Sequence, residues 1–203
     1  MKDNVDVMMS SNRVLMRSAL DSLKGNWFLA VIVGFISCII LGLENVVPFG
    51  GIFYLIFTGP INFGLLYCYL SISRSKKVEI VDMLGAFKDI ERFKSTCIAG
   101  ILITIFVFLW TLLLVIPGII AYLSYSMTFF ILADDESIGG CDAMKKSRKM
   151  MYGYKWKYFC LLCRFFGWFL LCILTFGIGY LWLGPYIRVS AAKFYEELKI
   201  VHG

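Results

Sequence analysis

At 203 residues the chain is 60% apolar and only 17% charged, with 17% aromatic residues and a net charge of +6. Soluble domains run nearer half apolar and a quarter charged, so water is the wrong solvent for most of this polypeptide. Intrinsic disorder, a small disulfide-stapled secreted domain and a soluble basic nucleic-acid binder are excluded on the same ground.

Residues 1–25 carry Arg13, Arg17 and Lys24, with Leu15, Ala19 and Leu23 spaced four apart. That spacing predicts a short amphipathic helix lying in a membrane interface. The uncharged run Asn26–Leu43 follows, closed by Glu44 and a turn-like Val46–Gly51; Ile52–Ser73 is the return run, closed by Arg74, Lys76 and Lys77. These form a first hairpin over 26–73. Val81–Ser95 is a second amphipathic segment, with Met83, Phe87 and Ile90 on one face. Cys97–Ala133 then has no charge at all. At about 1.5 Å per residue it is too long to cross a hydrocarbon core of about 30 Å once. Pro117-Gly118 divides it into Cys97–Val115 and Ile119–Ala133, completing a second unit over 78–133. Asp142–Lys157 repeats the amphipathic pattern. Tyr158–Ala192 is divided at Thr175–Gly179 into Tyr158–Leu174 and a short Tyr180–Ala192, completing a third unit over 137–195 and leaving a tail, 196–203.

The expectation is an all-α integral membrane protein forming one polytopic domain. It has six transmembrane helices as three helical hairpins, each preceded by a short amphipathic interfacial helix. Helices are required because lipid offers the backbone no hydrogen-bond partner, and the apolar runs lack the alternation of barrel strands. Lys and Arg set the orientation. They lie before the first span, between the second and third, between the fourth and fifth, and in or after the sixth, with Arg164 inside the fifth and none in the three opposite turns. The positive-inside rule then places both termini in the cytoplasm. Each unit crosses twice, so the three units share one orientation.

Several stretches carry a resemblance. They are Trp110–Tyr122, Phe130–Asp135, Ala143–Gly153, and Gly184-Pro185-Tyr186 with Phe194-Tyr195 beyond it. Together they resemble the bacterial integral-membrane family catalogued as domain of unknown function 975. The amino-terminal third is matched only by Gly59-Pro60 and the layout. More remotely, the layout is similar to the membrane domain attached to some glycerophosphodiester phosphodiesterases, without their soluble catalytic domain. The resemblance implies six spans and a bacterial cell membrane, and brings no established activity.

Few residues are candidates for chemistry. Arg164 and Arg188 are the basic residues well inside apolar blocks, each roughly 10 Å from the basic end of its helix. Two arginines at matched depth could grip a phosphate or another anion; the alternatives are snorkelling to the interface or pairing with Asp134, Asp135, Glu196 or Glu197. Pro60 and Pro185, each after a glycine, sit at corresponding places in the first and third units, and each frees the carbonyl four residues earlier, Ile56 or Leu181. Matched breaks mark some transporter sites, and kinked packing with small residues explains them equally. Tyr186 adjoins the second proline. Asp134-Asp135-Glu136 reads as a solvated loop start, and the seven cysteines, Cys160-x-x-Cys163 included, read as buried thiols. No metal-ligand spacing, catalytic triad or phosphate loop is legible.

Two functions follow as expectations. The first is a multi-pass membrane protein without enzymatic activity or cofactor, acting as a partner or protection factor for other membrane proteins, with anionic-lipid contacts and no nucleic acid. The second is a small carrier or lipid-handling protein with an anion site between kinked helices two and six. A dry, packed bundle favours the first, and a continuous cavity reaching Arg164 and Arg188 favours the second.

Overall fold

The computed structural model describes residues 9–42, 50–76, 78–175, 177 and 179–202. Lys2, Glu44, the turn around Pro48, Lys77, and Phe176 and Ile178 of the third turn lie outside the described residues. Among those described, the structure is all-helical. It comprises α1 (Asn12–Leu23), α2 (Trp27–Gly42), α3 (Gly50–Ser73), a 3-10 helix η1 (Ile80–Phe87), α4 (Ile90–Leu113), α5 (Val115–Tyr125), α6 (Thr128–Asp134), α7 (Gly140–Met150), α8 (Lys155–Leu174) and α9 (Tyr180–His202).

A short helical segment precedes α2, α4 and α8, as the sequence pattern predicts, but the three are built differently. α1 and α7 both end before a glycine in the left-handed region, Gly25 at φ 85° and Gly153 at φ 88°. A side chain there would be strained, and glycine lets the chain leave one helix and enter the next at a steep angle. α1 and α2 are bent by 98° at that point. The middle segment has no such glycine. The single helix expected over Val81–Ser95 is instead η1, followed by a break at Lys88-Asp89. Asp82 accepts a hydrogen bond from the Glu79 N–H at 3.0 Å, and the Asp89 carboxylate accepts from the Glu91 N–H at 3.3 Å to cap α4. Residues 90–95 therefore belong to α4.

The second turn also differs from expectation. The break falls at Leu114, extended at φ −162° and ψ 141°, and Pro117 lies inside the first turn of α5. A helix's first N–H groups have no intrahelical acceptor, so proline's missing donor costs nothing there. Gly118 closes the hairpin: a Cβ at this position would lie 2.2 Å from Thr111 Oγ1. The expected fourth span is two helices, α5 and α6, separated at Ser126-Met127, and α9 runs unbroken through the expected sixth span and the tail.

α3 is the axis of the molecule. Ile61, Leu65 and Tyr69 pack with Ala30 and Val33 of α2 and with Val189 of α9. Phe63, Leu66 and Leu70 pack into a larger core with Phe130, Met150, Tyr158 and Phe194. The Tyr69 hydroxyl donates to the Ala30 carbonyl at 3.0 Å. Close approach to α4 depends on glycine: a Cβ on Gly59 would lie 2.2 Å from the Thr96 carbonyl oxygen. The carbonyl that Pro60 releases, Ile56, accepts a hydrogen bond from the Cys97 thiol at 3.4 Å. The proline kink is thereby satisfied across the α3–α4 contact.

Four stretches among the described residues are long and apolar enough to cross a membrane: Leu55–Ser73, Ile90–Leu112, Val115–Asp134 and Lys155–Leu174. A fifth is added if the bent pair α1 and α2 counts as one. α4 and α8 turn large apolar side chains outward, among them Ile105, Phe108, Leu112, Phe166, Leu170 and Leu174. A surface this apolar is stable only against an apolar medium or another apolar surface.

Candidate functional site

Two polar features stand out against this apolar body. One is a cluster of ion pairs at the basic end. Arg74, just past α3, donates to Asp134 at 2.7 Å and to Glu196 at 2.6 Å. Asp134, at the end of α6, also accepts from Lys199 and, at 3.3 Å, from the Tyr195 hydroxyl. Lys193 donates to the Ser73 carbonyl at the end of α3. The cluster ties α3, α6 and α9 together. Asp134 is largely shielded from solvent, its side chain 13% exposed, while Arg74 and Glu196 are partly shielded and Lys199 is exposed. Burial, reinforced by the neighbouring Asp134 charge, pushes the Tyr195 phenol well above its ordinary range, so it remains a donor. Burial also lowers the Lys193 ammonium, against the pull of Glu196. Nearby, the Glu197 carboxylate accepts from the Ser10 N–H at 3.0 Å, and Lys157 donates to the Met9 carbonyl at 3.1 Å.

The second feature is a partly open cavity of about 660 Å³ lined by α3, α4, α5, α6, α8 and α9. α3 contributes Thr58 and Asn62, one turn apart, and α4 contributes Thr104 and Thr111. Tyr122, Tyr125, Tyr158 and Tyr180 bring phenols from α5, α8 and α9, and Arg188 brings a guanidinium from α9. The threonines are already engaged with their own helices, Thr104 with the Gly100 carbonyl at 2.8 Å and Thr111 with the Val107 carbonyl at 2.7 Å. Asn62 donates to the Thr58 carbonyl at 2.8 Å. Among the described residues, no hydrogen-bond acceptor within the protein lies on the Arg188 guanidinium. Among the described residues, no Asp or Glu lines the cavity.

The sequence-predicted site residues separate on this geometry. Arg188 lines the cavity; Arg164 is exposed on α8 and does not. The two arginines therefore do not share one site, because residue 164 falls on the outward face of its helix. The carboxylates suggested as their partners are otherwise engaged: Asp134 and Glu196 with Arg74, and Glu197 with the Ser10 N–H. Pro60 is buried beside the α3–α4 crossing. Pro185 is buried against α2, where its Cγ would lie 4.0 Å from a Cβ on Gly34. Tyr186 packs edge-on to Phe165 at 5.0 Å and borders a separate apolar groove with Trp27, Trp168 and Trp182. The residues missed by sequence reasoning are Asn62 and the four tyrosines. Asn62 had a signal, being an amide within a long apolar run one turn from Thr58; the tyrosines had none among so many aromatics.

The described residues thus define an all-helical protein with four or five helices able to cross a membrane and a cavity whose apolar walls carry a few polar groups. Residues 111–201, from the end of α4 into α9, match the model of a family described as Protein of unknown function (DUF975). The match covers a little under half of the chain and coincides with the stretch where the resemblance is densest. No curated protein and no solved structure matches the chain.

Proposed function

We propose that the chain is a non-enzymatic, multi-pass protein of the bacterial cell membrane that binds or carries an amphiphilic lipid in the α3–α9 cavity. The cavity is the observation that carries this reading, because a dry bundle offers no place for a ligand. Its volume is that of an ordinary small-molecule site, and its lining joins apolar walls to a few convergent polar groups. The six-span, three-hairpin layout with both termini cytoplasmic belongs to the same proposal. Several features support it. α1 meets α2 at 98°, as an interfacial helix meets a span. The basic segments before and after the hairpins converge through Arg74, Lys157, Lys193 and Lys199. Exposed Ile80, Val81, Leu84 and Phe87 on η1 suit contact with the anionic inner leaflet.

The test is what remains bound after purification in a gentle detergent, read by native mass spectrometry. A stoichiometric lipid is expected. A bound protein with no lipid would instead support action as a partner or protection factor for other membrane proteins.

A further inference from the structure

Resting on the reading of the cavity as a lipid site, we infer that Arg188, with the phenols of Tyr158 and Tyr122, binds the negatively charged headgroup of a singly anionic amphiphile whose tails leave the cavity sideways. The charge balance comes first. Among the described residues, Arg188 is the only formally charged group lining the cavity. A guanidinium carries five N–H donors in a planar fork and does not give up its proton, so a cavity holding it without a counter-ion is complementary to one anion. The carboxylates that could have neutralised it are committed to Arg74, Lys199 and the Ser10 N–H.

Snorkelling is blocked by the packing. Along α9, Arg188 lies about 12 Å from Glu196 of the ion-pair cluster. Of the seven residues from 189 to 195 between them, all but Lys193 are buried. The guanidinium therefore faces the cavity and is sealed from the basic end. Tyr158 is 6% exposed, its ring is held 5.0 Å from that of Phe194, and its hydroxyl has no hydrogen-bond partner among the described residues. Tyr122 and Arg188 are its charged or polar electrostatic neighbours. A fork of N–H donors flanked by phenolic O–H donors suits the two non-bridging oxygens of a phosphodiester.

The walls and the mouth select an amphiphile over a small ion. Leu66, Ile103, Val107, Leu162 and Ile187 are apolar lining residues. Phe108 lines the cavity and is also 68% exposed on the outside of α4; Tyr122 and Tyr180 are likewise exposed. These three mark an opening toward the medium that bathes the apolar flank of the molecule. A lipid can enter there with its headgroup on Arg188 and its tails outside.

The test uses full-length protein in nanodiscs made of phosphatidylcholine with one-tenth phosphatidylglycerol, with retained lipid quantified after extraction into detergent. Wild type is expected to raise the ratio of retained phosphatidylglycerol to phosphatidylcholine about tenfold over that of the bilayer, to roughly parity, the scale of one charge-assisted bidentate contact. Arg188→Gln should abolish that enrichment while leaving the retained lipid count unchanged, Arg188→Lys should keep part of it, and Tyr158→Phe should reduce it a few-fold. Arg164→Gln should leave it intact. Inorganic phosphate at millimolar concentration is the second probe. Failure to displace phosphatidylglycerol identifies a lipid headgroup as the anion, and displacement identifies a free phosphate as the competent ligand of the same site. If Arg188→Gln retains the wild-type enrichment, or wild type holds lipid without regard to headgroup charge, the inference is overturned and the cavity remains a lipid site. If wild type holds no lipid, the underlying reading falls as well. Unfolding temperatures of Arg188→Lys and Tyr158→Phe, expected within a few degrees of wild type, separate loss of the site from loss of the fold.

Discussion

α3 and α8 have nearly the same mean hydropathy, yet 72% of the apolar window of α3 is buried inside the protein and only 22% of that of α8. Apolarity makes both helices long and apolar enough to cross a membrane; it does not decide how much of each is covered by protein. That difference follows small residues and polar anchors. α3 carries Gly59 and Gly64, where neighbouring backbone comes closer than any Cβ allows, and it ends at Arg74. α8 has one glycine in its apolar stretch, Gly167, with open space around it. In a membrane, side-chain transfer from lipid to protein adds little driving force, so close packing and polar contacts select the partners.

Substitutions that should break this contrast can be ranked. The largest effect is expected at Gly64, where a Cβ would lie 1.8 Å from the Met83 carbonyl oxygen. That obstacle is backbone and has nowhere to move, so Gly64→Val should destabilise by about 3 kcal/mol, seen as a lowered unfolding temperature in detergent. Arg74→Met should come next. It strands Asp134 and Glu196 in partly shielded positions and unties α3 from α6 and α9, at about 1–2 kcal/mol after allowance for partial exposure. Protease protection of the α9 end should fall with it. A smaller change, about 0.5–1 kcal/mol, is expected for Cys97→Ala, which removes the donor to the carbonyl released by Pro60. On α8, Leu174→Ala removes a side chain that is 78% exposed and should change stability by less than about 0.5 kcal/mol. A large loss there would mean that α8 is covered by protein, and the contrast with α3 would disappear.

The cavity divides the candidate residues in a way that hydropathy could not. Arg164 and Arg188 look equivalent in the chain, each a lone cation at similar depth in an apolar run. The structure separates them by helix face: one points outward and the other inward. Position along a helix is legible from sequence; rotation about its axis is legible only where the polar and apolar faces differ. The spans here are apolar all round, so that signal is absent. The same limit hid the tyrosines. The glycine-proline pair at 59–60 was legible as a kink, but its acceptor, the Cys97 thiol, is supplied by another helix.

The sequence by itself determined the helical class, the apolar stretches long enough to cross a membrane and the short helical segments before α2, α4 and α8. Each is a property of composition or of local spacing, summed over many residues. Tertiary structure alone decided which helix is central, where the second turn breaks, which carboxylates Arg74 and Lys199 neutralise, and that Arg188 is left facing a cavity. These depend on pairwise distances between segments far apart in the chain, where one missing Cβ or one committed carboxylate settles the outcome.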